Sequence, residues 1–263
     1  MELFNNIKKI VLVVEYNGRR YNGFQWQKSV PTVQDELEKA IFKLTGERRR
    51  VNAACRTDTG VHARGQVVSF RTESGLRPPV FTRGLNHYLP GDIGITGALA
   101  VSERFNVRKD AARREYRYYI WNRRSRSPLE ADYSFHVAGK LNIDAMDRAG
   151  RLLIGRHDLA SFATAWDRKE STVREVFESG VRADNGKVIY RIVAGSFLTH
   201  QVRNTAGALL RVGTGKMQIE EFKQVLEAKQ VSLAGPAAPA YGLCLIRVIY
   251  PEDSEFKYEN LCA

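Results

Sequence analysis

An apolar stripe recurs at every third or fourth residue after Thr32 (Val33, Leu37, Ile41, Leu44), and a β-branched apolar run precedes it at residues 7–16. The first spacing is the period of an amphipathic helix, and the second pattern is that of a buried strand. Thr32 is placed to cap the helix with Asp35 three residues on, and Gly46 to end it. A chain that sets these two element types side by side must bury a helix stripe against a sheet. The pairing continues. Strand-like segments follow at 50–54, 67–71 and 95–101, with a helix near 81–88 stopped by Pro90-Gly91.

The second half repeats the pattern: strands at 114–121, 173–182, 188–194 and 243–250, and helices at 143–154, 202–211 and 219–228. The expected fold is therefore α+β, with two similar α/β sandwich halves and mixed, mainly antiparallel sheets. The halves are expected at 1–108 and 109–250, with a polar, frayed tail at 251–263.

Charge narrows the function. Lys and Arg number 41 against 29 Asp and Glu, a formal charge of +12, and 28 of the 41 are Arg. Arg presents a planar fork suited to phosphate and stacks on bases, which points to a polyanionic partner, nucleic acid first. The three cysteines, Cys55, Cys244 and Cys262, lie far apart and form no CxxC pair, which argues against a disulfide scaffold or structural zinc. The early apolar run Ile10 to Val14 meets Glu15 at once and is too short for a signal core or a membrane span. A cytoplasmic protein with no membrane partner is expected.

The five histidines show no HExxH spacing, and no GxSxG or post-strand GxGxxG is present. Thr214-Gly215-Lys216-Met217 fails as a phosphate loop, because position 210 is Leu and Met217 replaces the required Ser or Thr. No cofactor and no metal are expected.

Two segments carry chemistry. Between Arg104 and Arg126 stand nine basic residues, opposed only by Asp110 and Glu115, with Phe105, Tyr116, Tyr118, Tyr119 and Trp121 between them. In a strand, Tyr116, Tyr118 and Ile120 point one way and Arg117, Tyr119 and Trp121 the other. Arginines of this kind suit phosphates, and aromatic faces suit bases; a solvated basic edge with core aromatics accounts for at least half of these residues. The other segment is Cys55-Arg56-Thr57-Asp58-Thr59-Gly60-Val61-His62-Ala63. A carboxylate in a Thr/Gly-rich loop usually makes a turn. Here Arg56 could hold Asp58 ionised, Thr57 and Thr59 could orient it, and Gly60 permits close approach. The residues leave three readings open: an enzyme using Asp58, a non-catalytic RNA-binding module, and a metal-free enzyme acting on a small anion.

The Asp58 loop resembles the active-site loop of the tRNA pseudouridine synthase A family, written Gly-Arg-Thr-Asp-x-Gly-Val-His-Ala. The resemblance runs through nearly the whole chain in order. It takes in Tyr16-Asn17-Gly18 and Tyr21-Asn22-Gly23-Phe24-Gln25-Trp26-Gln27, then Val33 to Glu38, Leu89 to Ile93, Phe105-Asn106-Val107-Arg108 and Arg114 to Tyr118. It continues with Gly155-Arg156-His157-Asp158, Thr172-Val173-Arg174, Phe197-Leu198, Val202-Arg203-Asn204 with Gly207, Ala234-Gly235-Pro236 and Ala238 to Leu243. Two departures stand out: Cys55 where Gly is usual, and Asn17 where Asp is common.

The resemblance implies an isomerase that converts uridine to pseudouridine at positions 38, 39 and 40 of the tRNA anticodon stem-loop, without a cofactor. It implies Asp58 as nucleophile and Tyr116 as the tyrosine that stacks on the uracil or moves a proton. Arg56 and Arg203 would hold and position the carboxylate, and Leu245 would form an apolar wall under the base. It also implies a homodimer.

Overall fold

The computed structural model describes residues 7–164 and 171–261; Cys262 lies outside them. In chain order the elements are β1 (Lys8–Tyr16), α1 (Val33–Thr45), β2 (Asn52–Ala53), β3 (His62–Thr72), α2 (Pro78–Tyr88), β4 (Ile93–Val101), β5 (Arg113–Trp121) and β6 (Phe135–His136). They continue with α3 (Ile143–Arg151), β7 (Gly155–Asp158), β8 (Val173–Asp184), β9 (Lys187–Ala194), α4 (Gln201–Gly213), α5 (Ile219–Ala228) and β10 (Leu243–Ile249). The class is α+β, as the mixed periodicities imply. Among the described residues, no helix is long and apolar enough to cross a membrane.

The chain divides into two compact units, Met1–Ala112 with Leu245–Ala263, and Arg113–Cys244. In the first, the strand order is β4-β1-β3-β10, with β2 added to β3. β1 runs antiparallel to both β3 and β4, so Leu12 faces Val68 on one side and Ala98 on the other. Paired on both edges, the strand is buried from Ile10 to Val14, which is why it reads as an unbroken apolar run. Helix α1 begins as its sequence implies: the Thr32 hydroxyl accepts the Asp35 amide at 3.3 Å, and Gly46 closes it at φ 75°. Leu37 and Ile41 on its stripe are fully buried, each worth about 1.5–3 kcal/mol relative to exposure.

Two expectations are corrected here. Residues 245–250 belong with the N-terminal unit, because β10 lies beside β3. The approach is close: a Cβ on Gly65 would stand 2.6 Å from the Ile246 carbonyl oxygen. The expected frayed tail is instead anchored at Glu255, Phe256 and Tyr258, while most of residues 251–261 stay exposed. Phe256 is buried against Phe105, Tyr250 and Tyr258, and the Glu255 carboxylate accepts from the Ser102 amide and hydroxyl. The polar composition of this segment concealed two aromatic anchors.

In the second unit the order is β5-β9-β8-β7, all antiparallel neighbours, with β6 parallel to β5. Along β5, Tyr116, Tyr118 and Ile120 are buried while Arg117, Tyr119 and Trp121 are partly exposed, the expected alternation. Asn142 caps α3 by accepting the Ala145 amide at 3.0 Å. This helix stops at Arg151, short of the expected 154. Asp158, at the end of β7, accepts from the Ala160 amide and the Thr172 hydroxyl and so caps the turn that follows.

Candidate active site

In the first unit the Asp58 loop joins β2 to β3 and is held from three sides. The Val61 amide donates to the Asp58 carbonyl at 3.1 Å, and Gly60 takes φ 78°, so the loop turns just after the carboxylate. The side chain of Gln66, on β3 and fully buried, donates to the Cys55 carbonyl at 2.9 Å and accepts its amide at 3.2 Å. The segment 16–24 closes the third side. The Phe24 amide donates to the Thr57 carbonyl at 3.1 Å, the Gly60 amide to the Tyr21 carbonyl at 3.3 Å, and the Gly18 amide to Nδ1 of His62 at 3.1 Å. The Tyr16 and Thr57 hydroxyls are 2.7 Å apart.

The glycines of that segment are needed for this closure. A Cβ on Gly18 would fall on the Val61 carbonyl, and one on Gly23, at φ 87°, would stand 2.8 Å from the Thr57 carbonyl oxygen. The motif around Tyr16 and the motif around Asp58 are therefore two halves of one backbone assembly. It buries Thr57 and leaves Asp58 partly exposed. A hydrogen-bonded backbone beneath a partly exposed aspartate is the arrangement a positioned nucleophile requires.

Arg56 shares the loop but is exposed, and it lines a cleft with other cations. Leu245 opens the part of β10 that belongs to this unit and is fully buried.

In the second unit, Tyr116 sits on β5 opposite Ile192, 8% exposed, with the Phe197 ring edge-on at 5.0 Å. Its neighbour Glu115 is buried between Arg191 and Arg117, at 3.0 and 2.7 Å. Burial opposes its charge, but hydrogen bonds from Arg191 and then Arg117 outweigh it and hold the carboxyl at about 2. Arg203 lies on α4, where its Nε donates to the Ala238 carbonyl at 2.9 Å while its own carbonyl accepts the Ala238 amide at 2.9 Å. The closing motif thus forms a strap along α4. Gly207 makes room for it, since a Cβ there would fall on the Pro236 carbonyl. The Tyr118 phenol donates to the Pro239 carbonyl at 2.9 Å. Burial raises its pKa well above the ordinary value, with Tyr241 adding to the rise and Arg203 opposing it. His200, just ahead of α4, adopts the left-handed region at φ 59°, a conformation that costs roughly 1–2 kcal/mol outside glycine.

The two departures from the family pattern are accommodated. Cys55 is not among the positive-φ residues, so a Cβ is tolerated there. The Asn17 side-chain oxygen accepts the Arg19 amide at 3.1 Å, a cap that an Asp would supply equally.

A family model described as tRNA pseudouridine synthase matches residues 12–108 and 149–251, about three quarters of the chain. The chain belongs to this family. Curated relatives named tRNA pseudouridine synthase A are similar over nearly their whole length. One from Roseiflexus castenholzii is 42% identical over 261 residues, covering 98% of this chain and 96% of its own. One from Thermoanaerobacter sp. (strain X514) is 39% identical over 244 residues, 93% of this chain and all of its own. One from Vibrio vulnificus (strain YJ016) is 39% identical over 253 residues, 96% of each.

Sequence reading missed Gln66 and His62 as loop supports. Gln66 breaks the apolar run of β3 and could have been flagged as a polar residue within a buried strand, since such a residue must find partners.

Proposed function

We propose that this chain isomerises uridine to pseudouridine in the anticodon stem-loop of tRNA, at positions 38, 39 and 40, with Asp58 as nucleophile and no cofactor. The reaction breaks the N1–C1′ bond, turns the uracil and joins C5 to C1′; N1 gains a proton and C5 loses one. Atoms and electrons balance within the substrate, so no redox partner is required. The observation that supports the reading is the Asp58 loop, held through Thr57, Cys55 and Gly60 while Asp58 stays partly exposed.

In this reading the ionised Asp58 adds to the sugar C1′ or to the base. Tyr116 stacks on the extruded uracil or moves a proton. Arg56 and Arg203 hold charge at the reacting centre, and Leu245 supplies an apolar wall. Extruding the base costs a few kcal/mol, which backbone contacts to a basic protein offset. The enzyme acts in the cytoplasm as a homodimer; a monomer by light scattering at micromolar concentration counts against that part.

The test is pseudouridine mapping at single-nucleotide resolution on an unmodified tRNA transcript carrying uridines at 38, 39 and 40. Wild type is expected to modify those positions, and Asp58→Asn to bind the RNA and modify none. Product from Asp58→Asn would remove the nucleophile assignment, and binding without product from either protein would favour a non-catalytic RNA-binding module.

A further inference from the structure

A cleft of about 850 Å³ lies wholly within the first unit, between the Phe24–Trp26 turn, residues 48–53, β3 and residues 105–109. Its wall carries eight cations and no carboxylate: Lys9, Arg48, Arg49, Arg50, Arg56, Arg71, Arg108 and Lys109. Several are already engaged from behind. Arg49 pairs with Glu47 and Glu73, Arg50 with Glu38, and Arg71 with Glu103. Arg48, Arg56 and Lys109 form no ion pair among the described residues. A surface that concentrates cations without countercharge on the same wall favours an anion there.

The cleft also offers a π face. The Trp26 ring is 42% exposed, and the Arg50 guanidinium lies over it, 5.2 Å from the ring centroid. The Trp26 backbone and the Arg50 side chain meet in one hydrogen-bond network. Gln34 accepts the Trp26 amide at 2.9 Å and donates to the Val51 carbonyl at 3.2 Å. Glu38 accepts from Gln34, from the Val51 amide and from Arg50. Helix α1 thus ties the Trp26 backbone and the Arg50 guanidinium to one pair of side chains, Gln34 and Glu38.

Cations with an ordered aromatic face suit an unpaired nucleotide strand, in which phosphates meet guanidinium groups and a base stacks on the ring. Arg56, on the cleft wall, is two residues from Asp58 and so within about 7 Å of extended chain. We propose that the cleft guides the RNA strand flanking the target uridine: one unpaired base stacks on the Trp26–Arg50 pair, and Arg48 and Lys109 hold the adjoining phosphates. This rests on the reading of the chain as an RNA-modifying enzyme, and the stacking contact sets which loops are accepted.

The experiment measures the Kd of a labelled anticodon stem-loop RNA against salt for wild type, Trp26→Ala, Trp26→Phe and the double variant Arg48→Gln/Lys109→Gln, each checked for an unchanged thermal midpoint. Trp26→Ala is expected to weaken binding about 5- to 150-fold and Trp26→Phe to restore most of it. The double variant is expected to lower the slope of log K against log salt by about 1.4, for two phosphates on a single strand. Unchanged affinity in Trp26→Ala overturns the stacking contact, and an unchanged salt slope overturns the phosphate track. Equal weakening by Trp26→Ala toward heparin, which has no bases, also overturns the stacking. A wild type that binds RNA but makes no pseudouridine defeats the enzyme reading, while the affinity comparison still judges the cleft.

Discussion

The phenol of Tyr16 stands 2.7 Å from the hydroxyl of Thr57, so the end of the first strand is tied to the residue beside Asp58. The bond is buried, and its removal leaves the Thr57 oxygen without that partner. Tyr16→Phe is expected to cost about 1–3 kcal/mol and to lower turnover more than RNA affinity. Thermal denaturation with kcat and KM measured separately checks this; a loss confined to KM would contradict it.

Gly23 and Gly46 share a left-handed backbone but differ in surroundings. At Gly23 a Cβ would meet the Thr57 carbonyl, whereas at Gly46 nothing lies within 4 Å. Gly46→Ala should cost only about 1 kcal/mol, the left-handed penalty, with activity retained. Gly23→Ala should add displacement of the Asp58 loop, with at least a tenfold loss of turnover, since misplacement by about 1 Å can cost a hundredfold. Equal activity in the two variants would show that the segment does not position the loop.

Glu115 ties β5 to β9 through Arg191, and its carboxyl is held near 2 from an ordinary 4.5. A depressed folded-state pKa contributes stability above the unfolded value, and that contribution fades as pH falls from about 4.5 toward 2. Glu115→Gln should destabilise the protein by roughly 2–3 kcal/mol at pH 7. Urea denaturation at pH 7 and at pH 3 should show the gap between variant and wild type narrowing in acid; a constant gap would rule out the ion-pair account.

Phe256 is 1% exposed among Phe105, Tyr250 and Tyr258. Phe256→Ala should cost about 3–5 kcal/mol and lower Tm by roughly 10 °C at about 2–4 °C per kcal/mol. Calorimetry decides it, and a change under 1 °C would restore the picture of a frayed terminus. The Tyr258 phenol, pushed up to about 12 by burial, donates to the Val248 carbonyl at 2.9 Å, so the segment should stay docked through neutral and mildly alkaline pH.

Elements whose apolar pattern, cap and stop all agree were legible, α1 above all. The start of β3 was not: Arg64, Gly65 and Gln66 interrupt its pattern, and the strand was expected only from 67, whereas it begins at His62. Two of the three depart from strand chemistry for tertiary reasons. Gly65 admits the Ile246 carbonyl and Gln66 pins Cys55. Asp58 was legible as a candidate because its neighbours Arg56, Thr57 and Gly60 are local. The roles of Gly18, Gly23, Gln66 and His62 were not, because their partners lie between 11 and 44 residues away in the chain.

By itself the sequence determined the mixed α and β class, the basic character and the order of motifs, because helix period, strand alternation, caps and charge are local properties. Tertiary structure alone decided that β10 joins the N-terminal unit, that Phe256 is anchored, that the glycine-bearing segment 16–24 clamps the aspartate loop, and that Trp26 and Arg50 meet in a basic cleft. Each of these depends on backbone and ring surfaces brought together across long stretches of chain. No spacing along the sequence encodes such proximity; it follows from burying the apolar faces the sequence specifies.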